Sequence, residues 1–190
     1  ALFSGSMGRK FDQKSWDRRW AEALENHVHV VEQRPPSAHL IDQTADLQPG
    51  RALDAGARHG ADALWLAAQG WHVTAVDFSV TALEWASKKA DSFGEEIADR
   101  VEWIAADLTT WAPPAEHYDL VACLYVHVAG SVPELVLQLA EGVAPGGTLL
   151  LVGHQPTDPA TGKPTPAADQ VQIDVDSARA ALEPDGWEIL

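Results

Sequence analysis

The sequence predicts a doubly wound α/β domain with a mostly parallel central sheet and helices on both faces of that sheet. Two observations lead to this prediction. Short apolar runs typical of buried strands alternate along the chain with longer segments of helical periodicity. In addition, residues 51–77 contain a complete strand–turn–helix–strand unit, and a crossover of this kind connects parallel strands. The length of 190 residues suits one domain with a sizeable core.

The first strand–helix–strand unit is the best-defined part of this pattern. Its parts are a strand at Arg51–Asp54, a turn bracketed by Gly56 and Gly60, a helix at Ala61–Gln69, and a strand at His72–Val76 that ends on Asp77. Both strands are followed by segments that carry glycines or acids. Because parallel strands end at the same edge of a sheet, we expect a ligand crevice at their carboxyl ends.

The other elements follow from the same patterns. Helices are predicted at Trp16–Asn26, Ala38–Asp46, Ser79–Phe93, Asp174–Glu183 and after Ser131. Strands are predicted at Val101–Ala105, Tyr118–Leu124, Thr148–Val152 and Trp187–Leu190. The segment Gln155–Asp169 contains four prolines and is predicted to be a long irregular loop.

Acidic residues at the two strand ends narrow the class of ligand. Asp77 lies 21 residues after Gly56, near the ~20-residue spacing at which an acid meets a ribose diol. Asp54 points into the same crevice, where a carboxylate would repel a pyrophosphate and attract an ammonium or sulfonium group. The turn also lacks the G-x-G-x-x-G pattern of dinucleotide sites. A nucleoside with a cationic tail therefore fits better than a dinucleotide.

The stretch LDAGARHGADALWLAAQGWHVTAVDFS resembles motif I and the following acidic strand of class I S-adenosylmethionine-dependent methyltransferases. The resemblance is strongest to the small-molecule branch that includes tellurite-resistance and thiopurine methyltransferases, and it extends from about Trp16 to Gly153. It implies S-adenosyl-L-methionine as the cofactor. It also implies methyl transfer to the nitrogen, oxygen or sulfur of a small acceptor.

The resemblance also implies roles for individual residues. Asp54, Gly56 and Gly60 would hold the methionine end of the cofactor, and Asp77 the ribose. Phe78, Asp107 and Leu108 would surround the adenine. Trp16 and Trp20 share a helix face and would cover the cofactor, with simple packing as the alternative. Tyr125 and His127 would lie beside the transferable methyl group, where His127 is a candidate base.

Two departures from the family pattern leave alternatives open. Arg58 occupies the middle glycine of the motif, so either its side chain swings out of the site or cofactor binding is impaired. The second possibility would make the chain a methyltransferase-like binding or partner protein. A nicotinamide-dependent oxidoreductase is a third hypothesis, disfavoured by Asp54. The family also closes its sheet with an antiparallel hairpin, of which only Trp187–Leu190 is present, so we expect the final strand to be missing.

Composition excludes several other classes of function. The 28 acidic and 13 basic residues give a formal charge of −15, and such a surface repels nucleic acid. Apolar runs are too short to span a bilayer, and the histidines show no metal-ligand spacing. The single cysteine, Cys123, fits a reducing cytoplasm and a structural role. Ala1–Ser6 precede Met7 and look like cloning additions, so the predicted domain covers residues 8–190.

Overall fold

The structure is a computed structural model with a parallel sheet at its centre. It describes residues 14, 17–22, 25, 34–127, 130–165, 168, 171–183 and 186–190. The strands are β1 (Arg51–Ala55), β2 (His72–Asp77), β3 (Val101–Ala105), β4 (Tyr118–Leu124) and β5 (Val143–Val152). Within the described residues these strands form one sheet in the order β3-β2-β1-β4-β5, and every pairing is parallel.

The helices lie on both faces of the sheet, as predicted. They are α1 (Ala38–Thr44), α2 (Ala61–Ala68), α3 (Val80–Ser92), α4 (Glu95–Ala98), α5 (Val132–Glu141) and α6 (Val175–Leu182). Residues 17–22 are also helical and are called the N-terminal segment below. No helix in the described ranges is long and apolar enough to cross a membrane.

Two hydrophobic cores cover the two faces of the sheet, because successive strand side chains point to opposite sides. On β1, Ala52 belongs to the core that contains α2 and α3 residues. Its neighbour Leu53 belongs to the core that contains α5 and α6 residues. Both side chains are completely buried. The sheet is therefore covered on both sides, and its strand ends are left to form the site.

Serine hydroxyls cap two helices close to their predicted starts. Ser79 accepts a hydrogen bond from the Ala82 amide at the start of α3, and Ser131 accepts one from the Glu134 amide at the start of α5. Each hydroxyl satisfies an amide that has no carbonyl partner within the first helical turn. The four-residue helix α4 was not predicted, since it is too short to show periodicity.

The fifth strand begins earlier than predicted, at Val143 instead of Thr148. Tyr118 pairs with Val143, and Leu120 pairs with Thr148. Between these two pairs the chain advances by two residues in β4 but by five residues in β5. The extra residues form a bulge, in which Gly146 has a φ of +77°. The turn-like sequence Ala144–Gly147 therefore lies within a strand and not before one.

The predicted strand Trp187–Leu190 is wrong. Residues 187–190 have no regular structure and pair with no strand among the described residues. Trp187 packs against the core on the α5 and α6 side, whereas Leu190 is fully exposed. A strand needs a hydrogen-bonding neighbour, and this segment reaches no free edge of the sheet.

Candidate active site

A cleft lies at the carboxyl ends of the strands, where the strand order changes direction between β1 and β4. Ligands of open α/β sheets bind at this position. The residues that line the cleft are Trp20, Gly56, Arg58, Asp77, Phe78, Leu108, Tyr125, Val126 and His127. They come from the N-terminal segment and from the loops that follow β1, β2, β3 and β4. The fold therefore brings seven of the predicted site residues to one place.

The loop after β1 crosses the floor of the cleft and requires glycine at Gly56. The Gly56 and Ala57 amides donate to the Val76 carbonyl at 2.7 and 2.9 Å, which ties the loop to the end of β2. Gly56 has a φ of +88°, and a Cβ atom there would overlap Val126 Cγ2. The missing side chain therefore lets the segment after β4 approach this loop closely.

Gly60, which was predicted to hold the methionine end of the cofactor, is not among the residues that line the cleft. It precedes α2 with a φ of +84°, and a Cβ atom would come within 2.8 Å of Ala86 and 2.9 Å of Trp103. The missing side chain lets the start of α2 pack against α3 and β3. Gly60 therefore shapes the loop at the start of α2.

Asp77 ends β2 with its carboxylate held in place by backbone amides. Oδ2 accepts from the Arg58 amide and Oδ1 from the Ser79 amide, both at 2.9 Å. Burial raises the pKa of this carboxyl, and the two amide hydrogen bonds oppose that shift. Each carboxylate oxygen can accept more than one hydrogen bond, so ribose hydroxyls remain possible partners.

Asp54 lies beneath the cleft and is only 2% exposed. Its Oδ2 has no hydrogen-bond partner among the described residues. Burial raises the pKa of Asp54 well above its ordinary value, and the nearby Asp62 carboxylate raises it further, whereas Arg58 lowers it. A buried carboxylate oxygen without a partner is costly, so this position suits a donor that arrives with a ligand.

Arg58 and Asp62 lie beside Asp54. The Arg58 Nη2 is 4.0 Å from the Asp62 Oδ2, and Asp62 Oδ1 accepts from the Ser37 amide at 2.7 Å. Burial raises the pKa of Asp62, against the effects of the Ser37 amide and of Arg58. One guanidinium thus faces two partly or fully buried acids at the floor of the cleft.

The predicted adenine side contains Phe78 and Leu108, which both line the cleft. Asp107 does not line it. Its Oδ1 accepts from the amide and the hydroxyl of Thr109, at 2.7 and 2.6 Å, and these bonds shape the turn after β3. Asp107 is adjacent in sequence to Leu108, which lines the cleft.

Trp20 covers the cleft from the N-terminal segment and is 7% exposed. Its ring lies 5.6 Å from the ring of His59, which is 6.5 Å from the ring of Trp85. Both ring nitrogens of His59 are buried without a hydrogen-bond partner among the described residues. Trp16, the other predicted cover, lies outside the described residues.

Asp17 fastens this cover to the rest of the site. Its Oδ1 accepts from the Ser79 hydroxyl and from the Thr81 amide, both at 2.9 Å. The Thr81 amide is the main reason that the pKa of Asp17 is lowered. Sequence reasoning missed Asp17 although it stands next to the predicted tryptophan, because its partners lie 62 and 64 residues away in the chain.

The segment after β4 forms the opposite wall of the cleft. Tyr125 has a φ of +56°, and its ring stacks on that of His154 with centroids 4.3 Å apart. Burial lowers the pKa of His127, and the positive charge of Arg19 lowers it further. Burial also lowers the pKa of His154. At pH 7 the cleft therefore presents neutral imidazoles, which can accept a proton.

Cys123 does not take part in the cleft chemistry. Its side chain is completely buried in β4, and burial raises the pKa of the thiol to about 12. A thiol with such a pKa remains protonated at pH 7 and is a poor nucleophile.

Comparison with known proteins identifies the family of this chain. A family model described as a methyltransferase domain matches residues 52–147, about half of the chain. The chain belongs to this methyltransferase family. The match runs from β1 into β5 and therefore includes the loops after β1, β2, β3 and β4.

Individual relatives agree with the family. A probable thiol methyltransferase 2 of Arabidopsis thaliana is 29% identical over 178 residues, which is 92% of this chain and 74% of the relative. Thiocyanate methyltransferase 1 of the same plant is 27% identical over 187 residues, covering 96% and 77%. Among solved structures, a methyltransferase from Geobacter sulfurreducens in complex with S-adenosyl-L-homocysteine has a TM-score of 0.58 and 27% identity. That match covers 72% of this chain and 55% of the other.

These findings confirm the predicted class of enzyme, a small-molecule methyltransferase that depends on S-adenosyl-L-methionine. They give no support to the hypothesis of an impaired binding protein. The described residues also fit the cofactor chemically. The unpartnered Asp54 oxygen suits its cationic end, and Gly56 is one of the residues that line the same cleft.

Proposed function

We propose that this methyltransferase methylates the sulfur of a small acceptor, either a thiol or a thiocyanate-like anion, in the cytoplasm. The single observation that carries this proposal is the neutral imidazole of His127 in the wall of the cleft. A thiol must lose its proton before it can attack efficiently, and a neutral histidine can take that proton. The names of the two plant relatives support the choice of sulfur. The charge of −15 argues against a nucleic-acid acceptor.

The residues of the cleft divide the work between binding and reaction. When bound, S-adenosyl-L-methionine supplies the methyl group of its sulfonium. The demethylated cofactor is a neutral thioether. Asp54 and Gly56 would hold its methionine end, and Asp77 its ribose. Phe78 and Leu108 would contact the adenine, with Asp107 next to Leu108 in the chain.

The acceptor would enter beside Tyr125 and His127, under the cover that Trp20 provides. His127 would take the thiol proton while the sulfur attacks the methyl carbon. In the same step the methyl group would leave the sulfonium of the bound cofactor, whose sulfur would keep the electron pair of the broken bond. Alignment of the three atoms supplies most of the acceleration. An acceptor that arrives as an anion, such as thiocyanate, needs no base at all.

An acceptor panel tests the proposal. The protein would be incubated with S-adenosyl-L-methionine and thiocyanate, hydrosulfide, an aromatic thiol, glycine or a phenol, and S-adenosyl-L-homocysteine would be quantified by mass spectrometry. We expect turnover with the sulfur acceptors at least tenfold above that with glycine and the phenol. Preferred methylation of the amine or the phenol would contradict the assignment to sulfur. It would leave the enzyme class intact.

A further inference from the structure

Arg58 takes the place of a motif glycine while preserving the path of the loop. Its φ of +53° is in the left-handed region, which is unfavourable for a residue with a side chain. Its amide still donates to Asp77 Oδ2 at 2.9 Å, so the backbone on the ribose side keeps its hydrogen bond. The difference from a glycine lies in the side chain alone.

That side chain enters the cleft. Arg58 lines it together with Gly56, and its Nη2 approaches Asp62 Oδ2 at 4.0 Å. Its positive charge lowers the pKa of Asp54 on one side and of His127 on the other. The guanidinium is therefore within electrostatic reach of both the floor of the cleft and its acceptor-side wall.

The methionine end of the cofactor carries a carboxylate and an ammonium on the same carbon. Two acids, Asp54 and Asp62, attract the ammonium but repel the carboxylate. A guanidinium next to them removes this conflict, because its planar donors match a carboxylate in a bidentate way. A guanidinium and two buried carboxyl groups thus lie side by side next to the cleft, an arrangement that suits a ligand with both a carboxylate and an ammonium.

We propose that Arg58 binds the carboxylate of the cofactor's methionine end, with Asp54 and Asp62 facing its ammonium. This inference rests on the proposed use of the cleft for S-adenosyl-L-methionine. It assigns a binding role to the residue that departs from the family motif. The contrasting arrangement is that Arg58 only neutralises Asp62, in which case the cofactor must displace it.

Calorimetric titration with two ligands separates these arrangements. S-adenosyl-L-homocysteine has the complete amino-acid end, whereas 5′-methylthioadenosine has the same nucleoside and thioether without it. We expect Arg58→Gln to weaken the binding of S-adenosyl-L-homocysteine about 10- to 100-fold, because the ligand loses a charged hydrogen-bonding partner. Affinity for 5′-methylthioadenosine should change less than twofold. Arg58→Lys should fall between wild type and Arg58→Gln, since it keeps the charge but not the planar fork.

Arg51→Gln is the control, because it removes the same charge from the exposed start of β1, at the opposite edge of the sheet. It should leave both affinities unchanged. Urea unfolding would verify that all variants are folded. Equal or tighter binding of S-adenosyl-L-homocysteine by Arg58→Gln, or equal weakening of both ligands, would overturn the inference. If the wild-type protein binds neither ligand, the proposed function fails together with it.

Discussion

The proposed role of His127 as a base depends on burial and on the charge of Arg19, which lower its pKa so that the imidazole is neutral at pH 7. The alternative is that the His127 side chain only packs in the wall of the cleft and takes no part in the reaction. The two acceptors named for the plant relatives distinguish these roles, since a thiol carries a proton and thiocyanate does not.

We expect His127→Gln to lower the rate of thiol methylation at pH 7 by about 10- to 30-fold. The size of the loss follows from the few per cent of thiolate present at pH 7 for a thiol of pKa about 8.5. The loss should vanish above pH 9, where the thiol ionises by itself, and methylation of thiocyanate should change less than twofold. Initial rates from pH 5 to 10 provide the measurement.

His72→Gln is the matched control, since His72 is an exposed residue at the start of β2, away from the cleft. It should leave both rates unchanged. An equal loss for thiol and thiocyanate in His127→Gln would show that His127 positions the acceptor and does not take its proton.

His59 makes the stability of the protein depend on pH. Burial is the main reason that its pKa falls to about 3, and the positive charge of Arg58 adds to the effect. The unfolded chain binds a proton at this position near pH 6.5, whereas the folded chain does not until about pH 3. The stabilisation is therefore complete above pH 6.5 and is lost as the pH falls below it, by about 1.4 kcal/mol per unit.

Between pH 7 and pH 5, the wild type should lose about 2 kcal/mol more unfolding free energy than His59→Phe. The raised pKa values of Asp54, Asp62 and Asp77 favour the folded protein as the pH falls, which is opposite to the effect of His59. They are common to both proteins, so the difference isolates His59. Urea unfolding at the two pH values measures it. Parallel pH profiles would show that His59 becomes protonated in the folded protein.

Gly56 tests the close approach between the loop after β1 and the segment after β4. Gly56→Ala should lower the unfolding free energy by about 2–4 kcal/mol, because it adds a clash with Val126 to the strain of a left-handed residue. Gly146→Ala is the control, since Gly146 also has a positive φ but a Cβ atom there would meet nothing within 4 Å. Denaturant unfolding should give the smaller loss for Gly146→Ala. Equal losses would mean that the contact with Val126 is unimportant.

At the scale of elements, the N-terminal segment is joined to the start of α3 by the Asp17 carboxylate. This acid lies at the positive end of the α3 dipole and accepts from Ser79 and Thr81. The cleft beneath has an open volume of about 40 Å³.

Asp17→Ala should release this cover. We expect faster amide exchange in residues 17–22, together with several-fold weaker binding of S-adenosyl-L-homocysteine, since Trp20 would no longer be held over the ligand. Hydrogen exchange by mass spectrometry and calorimetry measure the two effects. Glu84→Ala removes an exposed acid from the middle of α3 and should change neither. Unchanged exchange in Asp17→Ala would show that other contacts hold the segment.

At the scale of the whole molecule, the charge of −15 should favour a cationic ligand. S-adenosyl-L-methionine carries one more positive charge than S-adenosyl-L-homocysteine. Raising NaCl from 20 to 500 mM should weaken the binding of S-adenosyl-L-methionine about threefold or more, because salt screens long-range attraction. The binding of S-adenosyl-L-homocysteine should weaken less than twofold. Calorimetric titrations across this range of salt concentration measure both affinities. Identical salt dependence would mean that the overall field contributes nothing to cofactor binding.

The sequence by itself determined the elements whose signals are local. The bounds of β3 and β4 agree with the predicted ones at both ends, because each is a short apolar run closed by polar or turn-forming residues. The order of glycine turn and strand-end acids likewise indicated a nucleoside site, since these residues follow parallel strands that end at one edge.

Only the tertiary structure decided which residues meet across the chain. Trp187–Leu190 has the composition of a strand but no neighbour to pair with, and strand formation depends on that neighbour. Gly60 has the spacing of a cofactor residue but packs against Ala86 and Trp103. Asp17 meets Ser79 and Thr81 from more than 60 residues away. Such contacts depend on how distant elements pack, and no local pattern in the sequence records that packing.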